Sequence, residues 1–138
     1  MNDTAKKKFR LCLVSDQLAT GGAERCAALL SNYFVQNECE VHHVIVVDKI
    51  EYDYSGEVLN LGKLKNNTNG FFNRLKRFKV LKEFYATNKF DFIIDFRVKR
   101  HQFQEFFIAN YIYKSPIIVM VHSYMTDLYF PKSKYLAN

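Results

Sequence analysis

Short β-branched runs alternate along this chain with longer stretches of helical spacing. Phe9-Arg10-Leu11-Cys12-Leu13-Val14 is the first run, apolar enough for a buried strand. A loop from Ser15 to Gly22 separates it from a helix pattern that begins at Ala23. Through Gln36 that helix carries Cys26, Ala27, Leu29, Leu30, Tyr33 and Phe34, a wide apolar stripe ending near Asn37. Cys39 to Asp48 holds a second strand around Val41 to Val47. A polar stretch with Ser55-Gly56 leads to a short strand, Val58 to Leu61, closed by Gly62. Asn66 to Gly70 has the composition of a loop. Phe71 to Thr87 repeats Phe71, Leu75, Phe78, Leu81 or Lys82, and Tyr85, a helix whose apolar face is expected on the sheet. Asp91 to Phe96 is a fourth strand, Gln102 to Tyr113 a helix, and Ile117 to Val121, opened by Pro116, the fifth strand.

This order, β-α-β-β-α-β-α-β, predicts an α/β fold with a doubly wound, mostly parallel sheet and helices on both faces. The expected strand order is 3-2-1-4-5. Open sheets of this kind bind ligands beyond the carboxyl ends of the strands, where the strand order reverses. The reversal lies between the first and fourth strands. The segments converging there are Ser15 to Gly22, Arg97 to His101, and the end of the fifth strand at His122-Ser123. They bring Asp16, Arg97, Lys99, Arg100, His101, His122 and Ser123 to one crevice.

Within it, Thr20-Gly21-Gly22-Ala23-Glu24-Arg25 is the most informative string. Paired glycines at a strand-to-helix turn let backbone amides approach an anion, and the helix start adds partial positive charge. A glycine N-cap with Glu24 three residues on also suits a plain helix start. His122 leaves an apolar strand at the crevice edge, where an imidazole can donate a hydrogen bond or exchange a proton near neutral pH. Arg97, Lys99 and Arg100 suit an anionic ligand or an ordinary solvated loop. Asp95 is either a crevice residue or satisfied by neighbouring amides. His42 and His43 face opposite sides of a strand with no third ligand near in sequence, so they are read as structural.

Composition limits the classes. The 138 residues form one domain, 1–138, with a single core. No apolar run is long enough for a membrane-spanning helix, and nothing behind Lys6-Lys7-Lys8 resembles a signal peptide, so a cytoplasmic location is expected. Cys12, Cys26 and Cys39 are odd in number and widely spaced, and are expected as buried free thiols. The net charge of +6 is uneven: from Lys63 to Arg100 eleven basic residues face three acids. The helix starting at Phe71 carries Arg74, Lys76, Arg77 and Lys79, cations able to rest on anionic headgroups.

These features give the chain a resemblance. Leu11-Cys12-Leu13-Val14, Gly21-Gly22-Ala23-Glu24-Arg25, Glu40-Val41 into Val44-Ile45-Val46-Val47, Phe90-Asp91-Phe92-Ile93-Ile94, and Ser115-Pro116-Ile117-Ile118-Val119 leading to His122-Ser123 carry it. With them the chain resembles the N-terminal half of a family-four (group 1) glycosyltransferase of the GT-B fold, over nearly its whole length. The resemblance implies a Rossmann-like acceptor-side domain working opposite a second domain that holds a UDP- or GDP-sugar. It implies Gly21 and Gly22 near the sugar donor's diphosphate, His122 near the transferred sugar, retention of configuration, and no tightly bound cofactor or metal. The second domain, with its Glu-x7-Glu element, has no counterpart here, so the chain is expected to be truncated and inactive alone. The implied setting is cell-surface polysaccharide or glycolipid synthesis, with a sugar or glycolipid acceptor, at the inner face of the membrane. The competing expectation is a non-enzymatic binding module whose basic middle meets anionic membrane or nucleic acid. No nucleic-acid motif supports the latter target.

Overall fold

The computed structural model describes residues 8–65, 70–97, 108 and 110–122. Its sheet is five-stranded, parallel throughout, and ordered β3-β2-β1-β4-β5. The strands are β1 (Arg10–Ser15), β2 (Glu40–Ile45), β3 (Glu57–Asn60), β4 (Phe92–Asp95) and β5 (Ile117–Val119). Helix α1 (Gly22–Gln36) follows β1, and α2 (Phe71–Thr87) joins β3 to β4. The predicted α/β doubly wound sheet and its strand order are therefore present. The predicted helix Gln102 to Tyr113 lies largely outside the described residues, although Ile108, Asn110 and Tyr111 are helical.

β1 and β2 are buried on both faces, which explains the apolar run Leu11 to Val14 in β1, while β2 places two histidines among its apolar residues. On one face Leu13, Val41, Ile45, Ile94 and Phe96 pack against Ala27 and Ala28 of α1. On the other, Cys12, Val14, Val44 and Ile93 pack with Tyr85 of α2, Phe90, Ile108 and Ile112. Small residues at Ala27, Ala28 and Ser31 let α1 lie close to the sheet. Its buried stripe is narrower than expected: Leu29 and Tyr33 point outward.

α2 departs further from expectation. Phe78, Val80, Leu81, Phe84 and Tyr85 face the core, but Phe71 and Leu75 do not. The inward place in the first turn belongs to Asn73, whose amide donates to the Leu64 carbonyl at 2.7 Å. Residues spaced three and four apart drift around a helix, so an apolar repeat can leave the packed face at one end.

The crossover from β2 to β3 contains no helix. It is held to α1 by hydrogen bonds: the Ser55 amide donates to Ser31 Oγ at 3.0 Å and the Ser55 hydroxyl to Asn32 Oδ1 at 2.7 Å. His42 and His43 project to opposite faces, as the strand alternation requires. His42 lies against Phe84 and Phe90 and contacts Glu40 and Glu57. His43 is fully buried, meets Tyr54 edge-on, and donates from Nε2 to the Ser55 carbonyl at 3.1 Å.

Burial holds the His43 imidazole neutral, with a pKa down to about 4; the nearby His42 adds to this and the Ser55 bond opposes it. The unfolded chain binds that proton near pH 6.5, so stability is lost as pH falls from about 6.5 towards 4. The full effect is about 3 kcal/mol. Glu40, held down at about 2 by its bond to Arg10, acts only in a lower window. The melting temperature of the wild type is thus expected to fall between pH 6.5 and 4.5, and that of His43→Leu to stay flat there. Parallel curves for the two proteins would show that His43 is not the titrating group.

The thiols divide. Cys12 is buried beside the Tyr85 hydroxyl, and burial pushes its pKa up to about 12, so it has no nucleophilic role. Cys26 and Cys39 are only half-buried, which corrects the expectation of three buried thiols. Among the described residues no cluster of His, Cys, Asp or Glu has the makings of a metal site, and no helix is long and apolar enough to cross a membrane.

Candidate functional site

The strand order reverses between β1 and β4, and the loops leaving their carboxyl ends build the candidate site. The loop after β1 is held from below by the chain after β2. The Asp16 carbonyl accepts from Val46 and Val47, and the Leu18 amide donates to the Lys49 carbonyl while its own carbonyl accepts from Glu51 and Tyr52. The Tyr52 hydroxyl reaches the Gly21 carbonyl at 3.4 Å. The segment after β2, through Tyr52, is thus partly a buttress for the glycine turn.

The turn itself is strained. Thr20 has φ +33° and Gly21 φ +122°, adjacent residues in backbone regions that side chains disfavour. The Gln17 side-chain amide secures Thr20 by donating to its Oγ1 at 2.9 Å. Gly21 caps α1 without any side-chain bond to the first-turn amides, and its carbonyl accepts from Arg25 at 3.2 Å. Only Gly21 is dictated by backbone conformation; at Gly22 a Cβ would meet open space. The helix start therefore presents backbone donors with no covering side chain on Gly22.

One internal anion already lies close. The Glu24 carboxylate sits over Gly21, in the place a Cβ there would take. It contributes a negative charge to the first turn of α1 and must move aside for an incoming anion.

Across the crevice, Asp95 and Arg97 are joined by three hydrogen bonds. Asp95 is buried at the end of β4. Its Oδ1 accepts from the Arg97 amide at 3.0 Å and from Nε at 3.1 Å, and its Oδ2 from Nη2 at 2.8 Å. Arg97 Nη2 also lies 3.5 Å from the Tyr113 hydroxyl. The Arg97 side chain is 12% exposed, so its fork is turned onto a carboxylate and not outward. Arg97, expected to meet an anionic ligand, is thus placed against the fully buried carboxylate two residues away.

Beyond β5 the Met120 amide donates to the Asp95 carbonyl at 2.9 Å, extending the pairing towards the crevice. His122 is exposed, its ring stacked on buried Phe96 with centroids 5.8 Å apart and planes 19° from parallel. Phe96 gives that imidazole a platform, a role no sequence pattern marks. Two strand spacings, about 10 Å, separate the ends of β1 and β5. Asp16 is exposed on the rim. Lys99, Arg100, His101 and Ser123 lie outside the described residues.

Of the cations predicted on α2, Arg74, Lys76 and Lys79 are exposed, whereas Arg77 is half-buried on the inward side. Comparison with protein-family models, with curated proteins and with solved structures gives no match.

Proposed function

We propose that this chain is the acceptor-side domain of a sugar-nucleotide-dependent, retaining glycosyltransferase of the GT-B kind. The observation that carries the reading is the strained, uncapped turn at Thr20-Gly21 opening α1 at the sheet's reversal point. Support comes also from His122, stacked at the far side of the same crevice. On this reading the amides of the glycine turn face the diphosphate of a UDP- or GDP-sugar, and His122 contacts the sugar being transferred. The acceptor, a sugar or glycolipid, enters between them. The protein then works in the cytoplasm, at the inner face of the membrane when its acceptor is a glycolipid.

Charge developing on a leaving diphosphate needs several converging donors. Backbone amides at one helix start supply only part of that field, and a second, donor-holding domain supplies the rest. The 138-residue chain alone is therefore expected to transfer no sugar and to bind nucleotide sugars no tighter than about millimolar. Calorimetric titration with UDP- and GDP-sugars checks this. Micromolar affinity, or transfer by the chain alone, would contradict the assignment to one half of a divided site.

A further inference from the structure

α2 carries apolar residues on two sides. The inward set, Phe78, Leu81, Phe84 and Tyr85, is packed on the sheet. The outward set is not packed: Phe71 is 70% exposed, Phe72 84% and Leu75 48%. The two phenylalanine rings touch edge-to-face at 6.0 Å and form one patch with Leu75, a turn further along. Single exposed apolar residues are ordinary, but three together at a helix start, two of them aromatic, form a contiguous patch.

The remainder of the outward face is basic. Lys76, Lys79 and Lys82 follow the patch along the exposed side, with Arg74 beside it. Glu83 is the one acid of α2, and it lies 3.9 Å from Lys79. An apolar end bordered by cations suits a surface with negative charge outside and hydrocarbon beneath.

We infer that the outward face of α2 docks the protein on an anionic phospholipid bilayer, with Phe71, Phe72 and Leu75 inserted and Lys76, Lys79 and Lys82 on the headgroups. Charge complementarity selects this occupant. A second copy of the face would bring lysines against lysines. A nucleic acid would match the charge but leave aliphatic Leu75 without a use, and edge-to-face rings do not offer parallel platforms for bases. α2 lies flat in this arrangement, with its inward side still on the sheet. The docking does not depend on glycosyl transfer and can hold or fail separately from it.

The chain contains no tryptophan, so Phe72→Trp introduces a single fluorescent reporter at the tip of the patch. With vesicles of phosphatidylcholine containing about 30% phosphatidylserine, its emission is expected to shift to the blue. Bromine-labelled lipid tails are expected to quench it. Co-sedimentation of the wild-type protein should favour these vesicles over pure phosphatidylcholine, and salt should weaken the binding. Neutralising Lys76, Lys79 and Lys82 to glutamine is expected to cost about fivefold in affinity per lysine. Phe71→Ser with Phe72→Ser is expected to remove about tenfold or more, and also the fraction that survives high salt. All these positions are exposed, and unchanged circular dichroism would confirm folding. An unshifted tryptophan, equal affinity for neutral and anionic vesicles, unchanged affinity of the serine variant, or tighter binding to RNA than to vesicles would each overturn the inference.

Discussion

Arg97→Ala is expected to destabilise the protein by about 3–5 kcal/mol, the cost of removing the guanidinium paired with a buried carboxylate. Asp95 is fully buried, and Arg97 supplies both guanidinium contacts to its two oxygens. Alanine keeps the backbone amide bond to Oδ1 but removes the positive charge. With the guanidinium charge gone, the buried carboxylate takes up a proton more readily as pH falls. The deficit should therefore be large at pH 8 and smaller at pH 5, opposite to the trend that His43 imposes on the wild type. Urea titration of both proteins at the two pH values measures it. A deficit that does not change with pH would mean that Asp95 is neutral in the native protein.

The second large effect is expected at Gly56→Ala. Gly56 has φ +102°, and a Cβ there would collide with the Val41 carbonyl oxygen in the backbone of β2. Left-handed strain alone is worth about 1–3 kcal/mol, and displacing a central strand adds to it. A loss of about 3–4 kcal/mol is expected, read from the midpoint of chemical unfolding. Gly22→Ala is the control: a Cβ at that position meets nothing, and the change should be near neutral. Equal losses at both positions would show that the β2-to-β3 crossover adjusts freely.

These two positions mark what could and could not be read from the sequence. The sheet was legible because β1 and β4 are short and largely apolar and β2 is rich in β-branched residues, a pattern that suits a doubly covered parallel strand. The glycine turn was legible because two glycines at a strand-to-helix junction have a local meaning. The Asp95–Arg97 unit was not, since a basic loop looks the same whether its charges face solvent or a buried acid two residues back. Phe96 beneath His122 and Tyr52 beneath Gly21 depend on contacts between distant segments. The outward turn of α2 was missed for a related reason. Periodicity identifies which residues share a face, but not where along the helix the neighbouring surface ends.

The exposed basic and aromatic face of α2 shares no residue with the crevice above β1 and β4. A variant in one should leave the other intact. Phe71→Ser with Phe72→Ser should thus bind anions at the crevice like the wild type while losing its hold on vesicles, separating docking from ligand recognition.

On the proposed reading the turn at Gly21-Gly22 is an anion site at the sheet's reversal point, with the Glu24 carboxylate as its internal competitor. Backbone amide shifts recorded while titrating UDP test it most directly. The expected result is a joint, saturable shift at Gly21, Gly22 and Ala23 and at His122, in the millimolar range, strengthened about fivefold by Glu24→Gln as one opposing charge is removed. Shifts confined to other strand ends, or to the basic face of α2, with Gly21 and Gly22 unmoved, would contradict it.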